Sequence, residues 1–149
     1  MKMKKLLALL LAAVMAVCML TACGGGDVKI GDINDLLQQQ GIEAKVSSSV
    51  ELDMVVSAVA REMKKNNVYR FDTEAFATGM EPMMSKLGFD SWRVYNGQPG
   101  TERSLEEAAV ISVRDYVQEF GSDGKIAVSG AEMTDKAGGV YWVVVVAGR

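Results

Sequence analysis

The sequence predicts an α+β fold, a three-layer α-β-α sandwich around a small, mainly antiparallel sheet. Three observations predict it. Apolar residues recur at helical spacing around residues 50–65 and 105–120, and each stretch is opened by a serine with a glutamate three residues later. Residues 125–132 and 140–147 read as strands joined through a loop over residues 135–139, an antiparallel hairpin with a longer connection. In the second of these, Val140, Tyr141, Trp142, Val143, Val144, Val145 and Val146 leave no polar face. Such a strand must be covered on both sides, which calls for helices above and below the sheet.

In chain order, Asp32 suits the N-cap of a short helix over residues 33–40, with Ile33, Leu36 and Leu37 on one face and Gly41 at C′. Ser48 and Glu51 have capping-box spacing. The helix after them carries Leu52, Val55, Val56, Val59 and Met63 in one stripe, and Asn66-Asn67 ends it. Residues 68–72 read as extended or loop. Residues 73–87 are helical in pattern, but Gly79 and Pro82 interrupt them. That predicts two short helices, with Pro82 in the first turn of the second and Gly88 closing it. Residues 91–96 alternate, Trp92 and Val94 against Arg93 and Tyr95, as in a strand with one buried face. Gly97-Gln98-Pro99-Gly100 is a turn. Ser104 and Glu107 form a second capping box. The helix behind it buries Leu105, Ala108, Ala109, Val113, Tyr116, Val117 and Phe120, and Gly121 stops it.

Ahead of these elements lies a leader. Lys2, Lys4 and Lys5 form a positive n-region, and residues 6–20 are uncharged and apolar, as a secretory signal requires. A transmembrane helix needs about 20 apolar residues, whereas this run meets glycines directly after Cys23. Leu20-Thr21-Ala22-Cys23 resembles the lipobox of bacterial lipoproteins, in which a diacylglycerol is attached to the Cys thiol and the chain is cut just before it. The resemblance implies a signal peptide over residues 1–22, lipidation at Cys23, a tether over 23–31 that includes Gly24, Gly25 and Gly26, and a domain over 32–149. It also implies a location on the extracytoplasmic side of the cell membrane, held there by the lipid.

Removing the leader changes the charge balance. Lys2, Lys4 and Lys5 are three of the 16 basic residues, which leaves 13 against 19 acidic residues and a net charge of −6. An acidic chain of this kind is repelled by nucleic acid and by anionic lipid headgroups, so no nucleic-acid partner is expected and the membrane is reached through the lipid. Cys18 leaves with the leader, Cys23 is consumed by the lipid, and the chain has no histidine. The commonest transition-metal ligands and the commonest general base are therefore missing. No metal, cofactor or catalytic residue is expected, and the domain is expected to be a monomer.

The order of elements resembles a bacterial domain of the CAP superfamily (cysteine-rich secretory, antigen 5 and plant pathogenesis-related proteins). Asn34 and Gly41-Ile42 match the family's first helix and turn. Leu52, Ala60 and Met63 match its next helix. Gly97-Gln98 and Leu105-Glu106-Glu107-Ala108 match the approach to its third helix. Gly139-Val140-Tyr141-Trp142-Val143-Val144-Val145 matches its last strand. The resemblance implies an α-β-α sandwich. It also marks departures: both cleft histidines are absent, Ser91-Trp92-Arg93 stands where the family has Gly-Glu-Asn, and the segment after the third helix shortens to residues 121–125. This chain resembles the scaffold without the metal-holding tetrad.

What remains for function is a candidate ligand-binding cleft of Trp92, Arg93 and Tyr95, with Arg70 and Asp72 from the loop that falls where the family's first histidine would lie. Met80, Met83 and Met84 could line an adaptable groove or fill the core. Ser129, in Val128-Ser129-Gly130, lacks the nucleophile-elbow pattern. Glu106 and Glu107 suit a helix first turn. Three readings stay open. One is a non-enzymatic module that binds an unidentified envelope or extracellular ligand. Another is a hydrolase of unfamiliar type using carboxylate or Lys groups. The third is a purely structural envelope lipoprotein.

Overall fold

The double-sided valine run forms the middle of a sheet. In the computed structural model, which describes residues 28–65, 72–97, 104–134 and 138–149, strand β4 (Val140–Gly148) lies between β3 (Ile126–Thr134) and β2 (Ser91–Gly97) and is antiparallel to both. Val143, Val145 and Ala147 pack against helices α2 (Val50–Lys65) and α3 (Thr73–Lys86). Val144 and Val146 pack against α1 (Ile30–Gln39) and α4 (Leu105–Phe120) on the other face. The domain is therefore the expected α-β-α sandwich. Four successive valines are almost fully enclosed, each worth about 1.5–3 kcal/mol relative to exposure.

One strand escaped the sequence reading. β1 (Val46–Ser47) pairs parallel with the start of β3, so the sheet is mixed, in the order β1-β3-β4-β2. Two residues carry no periodicity to detect. The side chain of Asn34 on α1 holds β1 in place: its Nδ2 donates to Val46 O at 3.0 Å, and Val46 N donates to its Oδ1 at 2.9 Å. The sharp reversal before β1 closes α1 with a Schellman motif. Gly41 has φ 70°, Ile42 N donates to Leu37 O, and Gly41 N donates to Gln38 O.

The domain also starts earlier than Asp32. The first helix begins at Ile30, capped at Lys29 without a side-chain bond, and Asp32 sits in its first turn. Val28, assigned by sequence to the tether, is buried. Gly130 makes the space for it: a Cβ at Gly130 would lie 2.7 Å from Val28 Cγ2.

The remaining differences are local. Ser49, not Ser48, caps α2, its Oγ accepting from Leu52 N at 3.2 Å. The two short helices expected over residues 73–87 are one helix, α3, with Pro82 inside it. An interior proline costs about 3 kcal/mol. Here it lies on the exposed side, while Phe76, Met80 and Met84, one turn apart, are fully buried. Those three side chains outweigh the proline. Gly79 serves packing rather than a break, since a Cβ there would sit 3.2 Å from Val59 Cγ1 of α2. In α4, Ser104 caps as expected, accepting from Glu107 N at 3.1 Å, and Gly121 ends the helix with φ 84°. Phe120 does not join the buried face and is 39% exposed. The helix end at Asn66-Asn67, the loop over 68–71 and the turn residues 98–100 lie outside the described residues.

Candidate functional site

The strand alternation separates the residues proposed for the cleft. Trp92 and Val94 point from β2 into the α2/α3 layer, while Tyr95 packs on the α1/α4 layer. The reading of β2 as a strand with one buried face is thus corrected: both faces are half-buried. Arg93 shares the Tyr95 face. It pairs with Glu119 of α4, and its guanidinium lies 4.8 Å from the Phe120 ring centre. Asp72 is the N-cap of α3, its Oδ1 accepting from Glu74 N at 3.0 Å and Ala75 N at 3.2 Å. Arg70 lies outside the described residues. The structure therefore brings Arg93 and Tyr95 together, and sets Trp92 and Asp72 apart from them.

Tyr95 instead meets Trp142. The register places Tyr95 opposite Val144 and Gly97 opposite Trp142, so the two aromatics are diagonal neighbours on one face of the sheet. Gly97 has no side chain to place beside Trp142. Above them, α4 presents Ala108, Ile111, Ser112 and Asp115, spaced i, i+3, i+4 and i+7. Ala108 and Ser112 are too small to fill the gap. The result is a half-open hollow of about 150 Å³ with Tyr95 and Trp142 in its lining. Ser112 Oγ donates to Ala108 O at 2.8 Å within the helix. The Tyr95 hydroxyl has its pKa pushed up to about 12, mainly by burial, then by the negative charges of Asp115 and Glu119, with Arg93 opposing.

A second hollow, broader and more open at about 580 Å³, lies where α1 turns towards β1 and is lined by Asn34, Asp35, Gln38, Glu43, Lys45 and Ser122 among others. It has no aromatic wall. Met80 and Met84 are core residues and Met83 packs against them, so the methionines of α3 form no groove. Among the described residues, no group of three or more His, Cys, Asp or Glu is arranged to hold a metal ion.

One polar pair, a buried serine and a partly buried aspartate, joins α2 to the sheet. Ser129, 2% exposed in the middle of β3, is hydrogen-bonded to Asp53 in the first turn of α2. Burial pushes the Asp53 carboxyl from 3.8 up to about 6, and the Ser129 bond offsets part of that. A folded-state pKa above the unfolded one means that folding takes up a proton between these values. The stability this contributes is present in full below pH 3.8 and lost as pH rises through 6. Asp53→Asn keeps a hydrogen-bonding side chain and removes the charge. It is expected to stabilise the domain at pH 8 by about 1 kcal/mol, after discounting for the partly exposed side chain, and to change little at pH 3.5. Urea melts at the two pH values check this, and a loss of stability at pH 8 would contradict it.

In class, the chain is an α+β domain, a mixed four-stranded sheet between two helical layers, with an aromatic hollow between its edge strand and α4. Comparison with known proteins adds no relative: no family model matches, and neither a curated protein nor a solved structure gives a significant match.

Proposed function

We propose that this is a lipid-anchored, extracytoplasmic binding module on a CAP-like scaffold that lacks the family's metal-holding residues. It takes an envelope or extracellular ligand in the hollow lined by Tyr95 and Trp142. The observation that carries the reading is that hollow, an aromatic recess left open by Gly97, Ala108 and Ser112 in a well-packed domain. Concave, mostly pre-formed recesses with a few polar groups are the usual form of a ligand site, and at about 150 Å³ this one suits a small group rather than a whole drug-sized molecule. The non-enzymatic reading draws on two further features: the chain has no histidine, and Ser129 is enclosed where no substrate reaches it.

The anchoring draws on the leader and on Leu20-Thr21-Ala22-Cys23. A diacylglycerol supplies the two chains that stable attachment needs. Among the described residues, no helix is long and apolar enough to cross a membrane. From Cys23 to the buried Val28, the chain spans at most about 18 Å when fully extended. The lipid would thus hold the domain close to the bilayer. Cys23→Ala is expected to abolish incorporation of labelled fatty acid and leave an unprocessed precursor. Unchanged lipid labelling in that variant would remove the anchor from the proposal.

A further inference from the structure

Next to the hollow, α4 already holds one cation, a side chain of the edge strand. Arg93 lies over the Phe120 ring and pairs with Glu119. One helical turn back, α4 repeats the acidic position with Asp115, and facing it the sheet supplies aromatic groups of its own, Tyr95 and, diagonal to it on β4, Trp142. There the space between them is open. Asp115 is 3.7 Å from its neighbour Arg114, with both side chains about half exposed, and such a pair contributes little. Glu132 of β3 is the cross-strand neighbour of Trp142 on its other side. Burial first, then the charges of Asp115 and Glu119, raise the Tyr95 hydroxyl's pKa, with Arg93, the partner of Glu119, opposing, so Asp115 is the acidic group left to the hollow. Aromatic faces attract cations through the ring quadrupole, most strongly for Trp and where water is partly excluded.

Size agrees with charge. A cavity of about 150 Å³ takes a benzene-sized group, and a trimethylammonium group has fewer heavy atoms than benzene. A metal ion would find one carboxylate and no other strong ligand in the lining. An anion would meet Asp115.

We infer that the hollow takes a small organic cation, an alkylammonium group seated between Tyr95, Trp142 and Asp115. The inference rests on this hollow being the ligand site proposed above. It names a chemistry with two sources, a free ammonium compound or the headgroup of a membrane lipid. The second is in reach. Val28, the residue through which the chain arrives from Cys23, packs at Gly130, close to Leu105, and Leu105 precedes the hollow's Ala108 by one helical turn.

The test uses the full chain in maltoside micelles, with Trp92→Phe so that emission reports Trp142. Choline chloride is titrated against its neutral tert-butyl analogue, which has the same shape without the charge. Choline is expected to shift the emission saturably, and the neutral analogue to bind about tenfold more weakly. Asp115→Asn should weaken choline about threefold at low salt, with the difference shrinking as salt rises. In micelles doped with phosphatidylcholine, reduced free-choline binding assigns the headgroup source, and unchanged binding assigns a free ammonium compound. Equal binding of choline and the neutral analogue overturns the cation and leaves the hollow as a binding site. No response to either overturns the cation and the site together.

Discussion

Trp142→Ala is expected to leave the domain marginal or unfolded, and Trp92→Ala to cost clearly less. Trp142 sits on the central strand with neighbours on both sides and is 6% exposed. Truncating a buried Trp costs about 3–5 kcal/mol, against a whole-domain stability of about 5–15 kcal/mol. Trp92 sits on the edge strand and is only partly buried, packed against the α2/α3 cluster. Losing it removes a smaller contact area, about 1–3 kcal/mol. Urea melts of the two variants give the order. Equal costs would mean that the edge strand is as deeply held as the centre. The reverse order would mean that the final strand is not central, and the sandwich would be wrong for this chain.

The layers were legible because they rest on long patterns. Seven apolar residues in a row can be satisfied only by cover on two sides, and Val143 to Val146 have it. The capping at Ser104 and the stop at Gly121 are local chemistry written in local sequence. Misreadings occur where tertiary contact overrides a local rule. Pro82 signals a break, but three enclosed side chains on the opposite side of α3 keep the helix whole. Strand β1 exists because Asn34, twelve residues away, supplies both of Val46's hydrogen-bond partners. Phe120 fits the helical stripe, yet lies one turn beyond the end of the buried face and covers Arg93's partner side instead.

The candidate site was half legible. Alternation along residues 91–96 already put Trp92 and Arg93 on opposite sides of a strand, so the sequence itself argued against gathering them into one cleft. The same alternation puts Tyr95 on the side of Arg93, and there the structure has it. The pairing of Tyr95 with Trp142 depends on the register that sets Gly97 opposite Trp142, and register between strands so far apart in sequence has no local signal. A glycine at a strand end next to an aromatic on the neighbouring strand is the feature to look for once pairing is known.

Gly148→Ala is expected to destabilise the domain by about 1–3 kcal/mol, the usual range for overpacking a core. Gly148 closes β4 opposite Ser91 of β2 and Ile126 of β3. Above it, the buried Tyr116 of α4 shares a hydrogen bond with Ser91 Oγ, tying the helix to the edge strand. A methyl at Gly148 would overlap the Tyr116 hydroxyl oxygen. Its next neighbours, Ser91 Oγ at 3.2 Å and Tyr116 Cζ at 3.4 Å, are close but tolerable. The conflict is therefore with one atom, and it is not a free chain end, because Tyr116 is enclosed and hydrogen-bonded. Tyr116→Phe removes that atom. Alone it should cost about 1 kcal/mol for the lost hydrogen bond. Combined with Gly148→Ala, it should cost well under the sum of the two single changes, because the methyl then occupies space that the oxygen has left. A double-mutant cycle in urea measures this coupling directly. Additive costs would mean that the methyl is rejected by the strand neighbours rather than by the tyrosine, and that the helix does not sit on Gly148 as the structure has it.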